Sequence, residues 1–296
     1  MTDEAQDIWS SWLLHRRDAD DAEAKRLSME YLRPIRDRVL ENAAINDGDT
    51  VLDVGCGDGL IAFGALERTK TGTVIFSDIS QDLLTHCREI AEDLGLTYRC
   101  QFLRASAEDL AQVSDGSVSA VTTRSVLIYV LEKTTAFREF HRVLTRGGRL
   151  SLFEPINSFG YPLPDHIFAG FDVAPVVHLA RKVKAIYRDG HPSENDPMID
   201  FDERDLLHFA QEAGFEELHL SLEADIEPPR AQITWEAFLH RAPNPLAPTL
   251  GEAVSQALTP TEGERFLAHL RPLVEKRRGT RRMAVAYLWG VKTGDG

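Results

Sequence analysis

The chain has 296 residues, enough for one large or two small domains, and 27% charged with 43% hydrophobic residues argues against global disorder. Its 33 Lys and Arg against 47 Asp and Glu give a net charge of −14. That charge disfavours sequence-independent nucleic-acid binding and adsorption to an anionic membrane. No apolar stretch approaches the length of about 18 residues typical of a membrane span. The acidic start lacks the apolar segment of a signal peptide.

Cysteine and histidine usage argues against disulfides and metals. Cys56, Cys87 and Cys100 are too few and too scattered for a disulfide framework, and none forms a Cys-x-x-Cys pair. The ten histidines show no HxH or HxxxH spacing. We therefore expect no structural zinc and no catalytic metal, and we expect a reducing, cytoplasmic location.

The first predicted elements are helical and cover residues 4–45. Apolar side chains such as Leu27, Tyr31, Ile35 and Val39 recur there at helical spacing. A polar run over residues 18–23 is expected to separate two helices. Pro34 suits either a helix start or a kink.

From Thr50 onwards, short apolar runs alternate with segments of helical period. The runs predict strands that begin at Thr50 and cover residues 72–80, 98–106, 118–127 and 148–155, with helices over 60–69, 81–95 and 134–148. Strands that alternate with helices are typical of βαβ units and of a parallel, doubly wound sheet. Ligands of such sheets bind at the carboxyl ends of the strands.

The remainder of the chain completes the sheet and supplies insertions. We expect an irregular stretch over residues 156–200, a helix over 202–213 that stops at Gly214, a sixth strand over 215–226 and a seventh over 284–292. The insert at about 227–282 is expected to be mostly helical, with a helix start at Thr259–Pro260. The predicted domains are an N-terminal helical cap (1–47), a core (48–155), and a remainder (156–296) whose cap insertions lie at about 156–200 and 227–282.

The strongest local signal is the glycine turn after the first strand, in which Asp53 is followed by Gly55, Gly57 and Gly59. Glycines there allow a tight turn and a close backbone approach to a ligand at a helix N-terminus. A dinucleotide fold would need glycine at position 60, which is leucine here, so a nicotinamide dehydrogenase is disfavoured. The alternative is a tight strand–helix turn without a ligand.

Asp78 ends the second strand, about 20 residues after the turn, where an acidic side chain accepts hydrogen bonds from ribose hydroxyls. The alternative is that Asp78 caps the next helix.

The runs VLDVGCGDG, SDIS, ASAEDL, SVLIYV and EFHRVLTRGGRL follow one another in order over residues 48–155. This ordered set resembles the class I S-adenosylmethionine-dependent methyltransferases, and it is most similar to the branch with the ubiquinone and menaquinone methylases. The resemblance implies an α/β fold with a Rossmann-like doubly wound sheet of about seven strands, a helical cap and S-adenosyl-L-methionine as cofactor.

The resemblance also implies roles for the residues of the first two motifs. Asp53, Gly55 and Gly57 would flank the methionine part of the cofactor, with backbone groups meeting its amine and carboxylate. Asp78 would hold the ribose, and Ile79 would pack on the adenine.

The later motifs imply the rest of the cofactor site. Ala107 would offer its backbone to the adenine. Many relatives have Asp where this chain has Ser106, so Ser106 or Glu108 would have to bind the adenine amine instead. Arg124 and Ser125 would line the methyl-transfer site. Two alternatives stay open: Glu108 caps a helix, and Arg124 pairs with a surface carboxylate.

The reaction that follows is in-line transfer of an activated methyl group to a small-molecule acceptor, a metabolite or a natural product. The cofactor carries the chemistry, and the protein positions the acceptor atom. A phenol or alcohol acceptor usually needs a base, for which His15, Glu154 and His166 are the candidates. The expected partners are a small-molecule substrate and, through the N-terminal helices, a second copy in a homodimer.

Two other functions fit the same motifs. The chain could bind S-adenosylmethionine without transferring methyl, as a regulatory protein, or it could catalyse a different reaction with this cofactor, such as a cyclisation. The motifs name neither the acceptor nor the atom that is methylated.

Overall fold

The computed structural model describes residues 7–189, 196–229 and 233–294. The strands within these ranges are β1 (Thr50–Val54), β2 (Thr73–Asp78), β3 (Cys100–Arg104), β4 (Val118–Arg124), β5 (Leu144–Pro155), β6 (Ile167–Phe168), β7 (Phe171–Asp172), β8 (Glu217–Glu227) and β9 (Arg281–Val291). The α-helices there are α1 (Ile8–Ser11), α2 (Ala22–Asn42), α3 (Leu60–Thr69), α4 (Gln81–Asp93), α5 (Lys133–Val143), α6 (Val177–Asp189), α7 (Glu203–Glu212), α8 (Trp235–His240), α9 (Leu250–Ala257) and α10 (Pro260–Glu275).

The chain divides into two compact units. The sheet unit comprises Tyr31–Ile156, Pro197–Glu223 and Val285–Gly296, and the helical unit comprises Met1–Glu30, Asn157–Asp196 and Ala224–Ala284. The division expected from the sequence cut the chain at residues 47 and 155 instead. The assignment of a substrate-capping role to the segments outside the core stays a prediction.

A seven-stranded sheet in the order β3-β2-β1-β4-β5-β9-β8 forms the sheet unit's framework. The pairs β1–β2, β2–β3, β1–β4 and β4–β5 are parallel, which confirms the predicted α/β fold with seven strands. The sheet is mixed, because β9 pairs antiparallel with β5. An apolar run predicts that a strand is buried, but it does not reveal whether that strand runs parallel or antiparallel to its neighbours.

The strand order places a switch point between β1 and β4. From β1 the chain goes first to β2 on one side, and then returns to β4 on the other side. Loops that leave neighbouring strands in opposite directions open a crevice at their carboxyl ends, which is where doubly wound sheets bind ligands. The register of β1 with β4 brings Asp53 beside Thr122 at this edge.

Most helices of the sheet unit begin and end where the sequence predicts. Helix α3 begins at Leu60, directly after the glycine turn, and α7 is followed by Gly214 at φ 102°. Helix α5 was expected to run to residue 148, but it ends at Val143 and β5 begins at Leu144. A register shift between Val118 and Ala120 accommodates the extra residues of β5 opposite β4.

The helical unit has an apolar core of its own. Helices α6, α8, α9 and α10 contribute buried side chains that include Leu179, Val183, Phe238 and Phe266. Helix α6 lies in the stretch that was expected to be irregular. The spacing of Val176, Leu179, Ala180 and Val183 is that of a buried helix face, a signal that the nearby prolines and aromatics obscured. The predicted start of α10 is confirmed, since Thr259 forms a capping box with Glu262.

Two kinds of feature are absent from the described ranges. No helix there is both long and apolar enough to cross a bilayer. No group of three or more His, Cys, Asp or Glu side chains in the same ranges is placed to hold a metal ion.

Candidate functional site

The turn between β1 and α3 depends on its glycines. Gly55, Gly57 and Gly59 have φ angles of 65°, 55° and 82°, in the left-handed region where a Cβ is costly. At Gly55 a Cβ would also overlap the Cγ2 methyl of Val126, in the loop that follows β4. The turn is therefore packed directly against the β4 loop.

Asp78 ties this turn to the end of β2. The side chain is 7% exposed. Its Oδ2 accepts a hydrogen bond from the Gly57 N–H at 2.9 Å, and its Oδ1 accepts one from the Ser80 N–H at 2.9 Å. The N-cap of α4 is Ser80, whose hydroxyl accepts from the Leu83 N–H at 3.1 Å. The helix-cap alternative for Asp78 is thus wrong, and its carboxylate lies beside the glycine turn.

Asp53 is a buried carboxyl group at the switch point. It is 1% exposed, and its Oδ1 accepts a hydrogen bond from the Thr122 hydroxyl at 2.8 Å. Its Oδ2 is buried without a hydrogen-bond partner among the described residues. Burial raises the pKa of Asp53 to about 7, although the Thr122 hydroxyl and the Arg124 charge act in the other direction.

These features fit the cationic cofactor that the resemblance implies. A cation near Asp53 would lower the pKa of its carboxyl group and favour the charged form. Asp53 precedes the glycine turn and has one buried oxygen without a hydrogen-bond partner among the described residues, and the Asp78 carboxylate is bonded to the backbone of that turn. Asp53, Gly57 and Asp78 can therefore hold S-adenosylmethionine.

Glu154 is buried under the loop that follows β4. Its side chain is 0% exposed, and its Oε1 accepts hydrogen bonds from the N–H groups of Val126 at 2.9 Å and Leu127 at 3.0 Å. Burial raises the pKa of Glu154 to about 7, against the effect of these N–H groups and of the Arg124 charge. Ser125, the residue before the two bonded amides, has a φ of 56°.

The predicted adenine-binding residues lie after β2 and β3. Ile79 is 43% exposed, and Ala107 is buried. The Ser106 hydroxyl accepts a hydrogen bond from the Glu108 N–H at 3.0 Å. Glu108 in turn accepts one from the N–H of Glu132, the N-cap of α5, at 2.9 Å. This bond reaches the N-cap residue and not an N–H of the helix's first turn, so it does not support the helix-cap alternative for Glu108.

The three candidate bases belong to different compact units. Glu154 lies in the sheet unit, whereas His15 and His166 lie in the helical unit. His15 is exposed, and its Nδ1 lies 3.2 Å from Oδ1 of Asp20. His166 is also exposed, and its carbonyl oxygen accepts a hydrogen bond from the Val173 N–H at 2.7 Å.

Three residues near the site were not among those predicted from the sequence. They are Thr122, which donates to Asp53, Val126, which packs on Gly55, and Tyr129, whose pKa is raised by burial and by the Glu154 charge. Each depends on the register between β1, β4 and β5. Apolar periodicity does not reveal that register, although the motif SVLIYV had already identified the segment that contains Val126 and Tyr129.

The two buried carboxyls give the unliganded protein a pH-dependent stability. The folded-state pKa of Glu154 is about 7, above its ordinary value of 4.5. The folded protein therefore takes up a proton between pH 8 and pH 6 that the unfolded chain does not. We expect Glu154 to add about 1.4 kcal/mol to the free energy of unfolding over that interval, and to lose this contribution as the pH rises through 7.

Urea unfolding at pH 6 and pH 8 measures this effect. Glu154→Gln should reduce the stability difference between the two pH values by about 1.4 kcal/mol. Glu89→Gln, on the exposed face of α4, should leave the difference unchanged. An unaltered pH dependence in the Glu154 variant would contradict the expectation.

Comparisons with known proteins agree with the fold and the site. The sequence profile of a methyltransferase domain matches residues 51–148. The ubiquinone/menaquinone biosynthesis C-methyltransferase of Klebsiella pneumoniae is 30% identical over 184 residues, which cover 60% of this chain and 70% of that protein.

Two solved structures share the fold. The YcgJ protein of Bacillus subtilis is 16% identical, with a TM-score of 0.54, over 88% of this chain and 98% of that one. The [4+2]-cyclase SpnF is 20% identical, with a TM-score of 0.51, over 89% of this chain and 82% of that one. The strand order, the glycine turn with its two acidic neighbours, and the match to the C-methyltransferase agree with one another. The chain belongs to the class I S-adenosylmethionine-dependent methyltransferases.

Proposed function

We propose that this enzyme transfers the methyl group of S-adenosylmethionine to a small organic acceptor at the carboxyl ends of β1, β2 and β4. The observation that carries the proposal is a pair of buried acidic side chains at the left-handed glycine turn: Asp53 precedes the turn, and Asp78 is hydrogen-bonded to its backbone. The cofactor supplies a methyl group already activated on a sulfonium, so the protein's main tasks are to bind it and to place the acceptor in line.

For the methionine and ribose parts we propose contacts with the first two loops. Asp53 would face the positive charge of the amino acid end, and the backbone of Gly55 and Gly57 would meet its amine and carboxylate. Asp78 would accept hydrogen bonds from the ribose hydroxyls. This role is compatible with its bond to Gly57, because a carboxylate has about four acceptor positions.

For the adenine and the transferred methyl we propose contacts with the later loops. The exposed face of Ile79 would pack on the adenine ring, and the backbone of Ala107 would pair with its edge, with Ser106 or Glu108 near the amine. Arg124 and Ser125 would line the path of the methyl group. The charge of Arg124 lowers the pKa of the buried Asp53 and Glu154 carboxyls, which supports a place for Arg124 near this edge of the sheet.

The class of acceptor rests on two supports. The net charge of −14 disfavours a nucleic acid, and the Klebsiella pneumoniae relative carries the name of a C-methyltransferase of quinone biosynthesis. We propose a small metabolite or natural product on these grounds. His15 and His166 stay candidate bases for an acceptor that must lose a proton. A cytoplasmic location and a homodimer stay predictions.

Calorimetric titration with S-adenosylhomocysteine, followed by a methyl-release assay, tests the proposal. We expect micromolar binding of the product and turnover with members of a panel of phenols, carboxylic acids, amines and enolisable carbonyl compounds. Transfer RNA and a histone mixture serve as polymer controls and should not be methylated. Absence of binding to both cofactor forms would refute the proposal, and binding without any methyl release would favour a non-transferring protein.

A further inference from the structure

Strand β5, the loop after β4 and the glycine turn are linked through the side chains of Glu154 and Val126. Glu154, near the end of β5, accepts hydrogen bonds from the N–H groups of Val126 and Leu127 in the loop after β4. Val126 then packs on Gly55 in the turn after β1. A continuous set of contacts therefore runs from β5 through the β4 loop to the glycine turn.

The β4 loop needs this support because its backbone is strained. Ser125 has a φ of 56°, a conformation that non-glycine residues adopt at a cost. Its N–H donates to the Phe153 carbonyl at 2.9 Å, and the next two N–H groups donate to Glu154. These three bonds to β5 hold the loop in the one position that brings the Val126 methyl against the glycine backbone.

The same geometry disfavours Glu154 as the base of the reaction. A base must come within hydrogen-bond reach of the proton that it removes. Glu154 has no exposed surface, its Oε1 is bonded to two backbone donors, and its Oε2 is buried without a hydrogen-bond partner among the described residues. A buried N–H that loses its acceptor is destabilising, so releasing the carboxylate would carry a cost in the loop itself.

We propose that Glu154 is a positioning residue, which acts through Val126 to hold the glycine turn in the conformation that binds the methionine part of S-adenosylmethionine. The inference rests on the proposed function, in that the glycine turn is taken as part of the cofactor site. It assigns Glu154 to cofactor affinity rather than to proton transfer.

Three variants separate these roles. Glu154→Ala removes the acceptor, and we expect the Kd for S-adenosylhomocysteine to rise at least tenfold. Glu154→Gln keeps an acceptor oxygen for the two N–H groups, and we expect it to restore the Kd to within about threefold of the native value. Ser151→Ala is the matched control, because it deletes another buried β5 hydrogen bond, from the Ser151 hydroxyl to the Val39 carbonyl at 2.8 Å. It should leave the Kd unchanged.

Hydrogen exchange gives a readout that a general loss of stability would not reproduce. In Glu154→Ala the amides of residues 125–128 and 55–59 should exchange faster, and in Ser151→Ala they should not. If Glu154→Ala fails to fold, Val126→Ala tests the proposal instead, because it removes the contact between the Val126 side chain and Gly55. It leaves the Glu154 carboxyl in place and should raise the Kd about three- to tenfold.

The possible failures are distinguishable. A native protein that does not bind S-adenosylhomocysteine would refute the cofactor site itself. Native binding that survives in Glu154→Ala or, where that variant does not fold, in Val126→Ala would overturn the positioning role alone. A Glu154→Gln variant with native Kd and KM for the cofactor, but with kcat lowered more than a hundredfold, would overturn it in favour of a catalytic base.

Discussion

Replacement of Asp78 by alanine is expected to weaken S-adenosylhomocysteine binding about a hundredfold. Two ribose hydrogen bonds to a charged acceptor, at about 1.5 kcal/mol each, correspond to two decades in Kd. The structure adds a second reason for a large effect. The same carboxylate accepts from the Gly57 and Ser80 N–H groups, so the variant also loses the anchor of the glycine turn.

Calorimetric titration of the native protein and the variant measures this loss. Glu89→Ala, an exposed carboxylate on the helix that follows Asp78, is the control and should bind as the native protein does. Asp78→Asn should lie between the two, because an amide oxygen accepts but the amide nitrogen cannot replace the second carboxylate oxygen. Native affinity in Asp78→Ala would show that the ribose lies elsewhere.

Replacement of Gly55 by alanine is expected to have the second large effect, on both stability and cofactor binding. At this φ of 65°, an alanine destabilises the folded state by about 1–2 kcal/mol relative to glycine. The overlap of its Cβ with the Val126 Cγ2 methyl adds an overpacking cost of about 1–3 kcal/mol. Relief of the overlap would move the turn or the β4 loop, so S-adenosylhomocysteine binding should be lost along with stability.

A glycine elsewhere in the same unit separates the two contributions. Gly95 has a nearly equal φ of 67°, but a Cβ there would meet nothing within 4 Å. Gly95→Ala should therefore show the backbone cost alone in urea unfolding and should retain cofactor binding. The double variant Gly55→Ala/Val126→Ala should recover part of the stability lost in Gly55→Ala. Equal losses in Gly55→Ala and Gly95→Ala would contradict the packing argument.

The features predicted well from the sequence are those with a local cause. The starts of α3 at Leu60 and of α10 at Pro260 could be predicted because a glycine turn and a capping box each consist of residues that are close together in the sequence. Strands β1, β2, β4 and β5 were recognised because each contains a buried apolar run, which is typical of parallel strands. The acidic residues beside the glycine turn followed from the same short motifs.

The features that were missed depend on neighbours distant in sequence. The bond from Thr122 to Asp53 exists because β1 and β4 pair in one register, and no property of either strand alone sets that register. Glu154 was recognised only as a carboxylate near the end of β5. Its two backbone donors follow the left-handed Ser125, a conformation that sequence patterns do not favour for serine. The direction of β9 was also missed, because it depends on the pairing of β9 with β5, a strand distant in sequence.

The position of β9 has a consequence for how the enzyme is made. Glu154 lies opposite Ala286 in the β5–β9 pairing, so the strand that carries Glu154 has an open edge until β9 arrives. A nascent chain thus emerges from the ribosome with the glycine turn and the β4 loop already synthesised, but with one side of β5 unpaired. Pairings between distant segments form slowly, and unpaired edges invite aggregation in the meantime. Synthesis of the residues that form β9 is therefore the step at which this edge of β5 can first be covered.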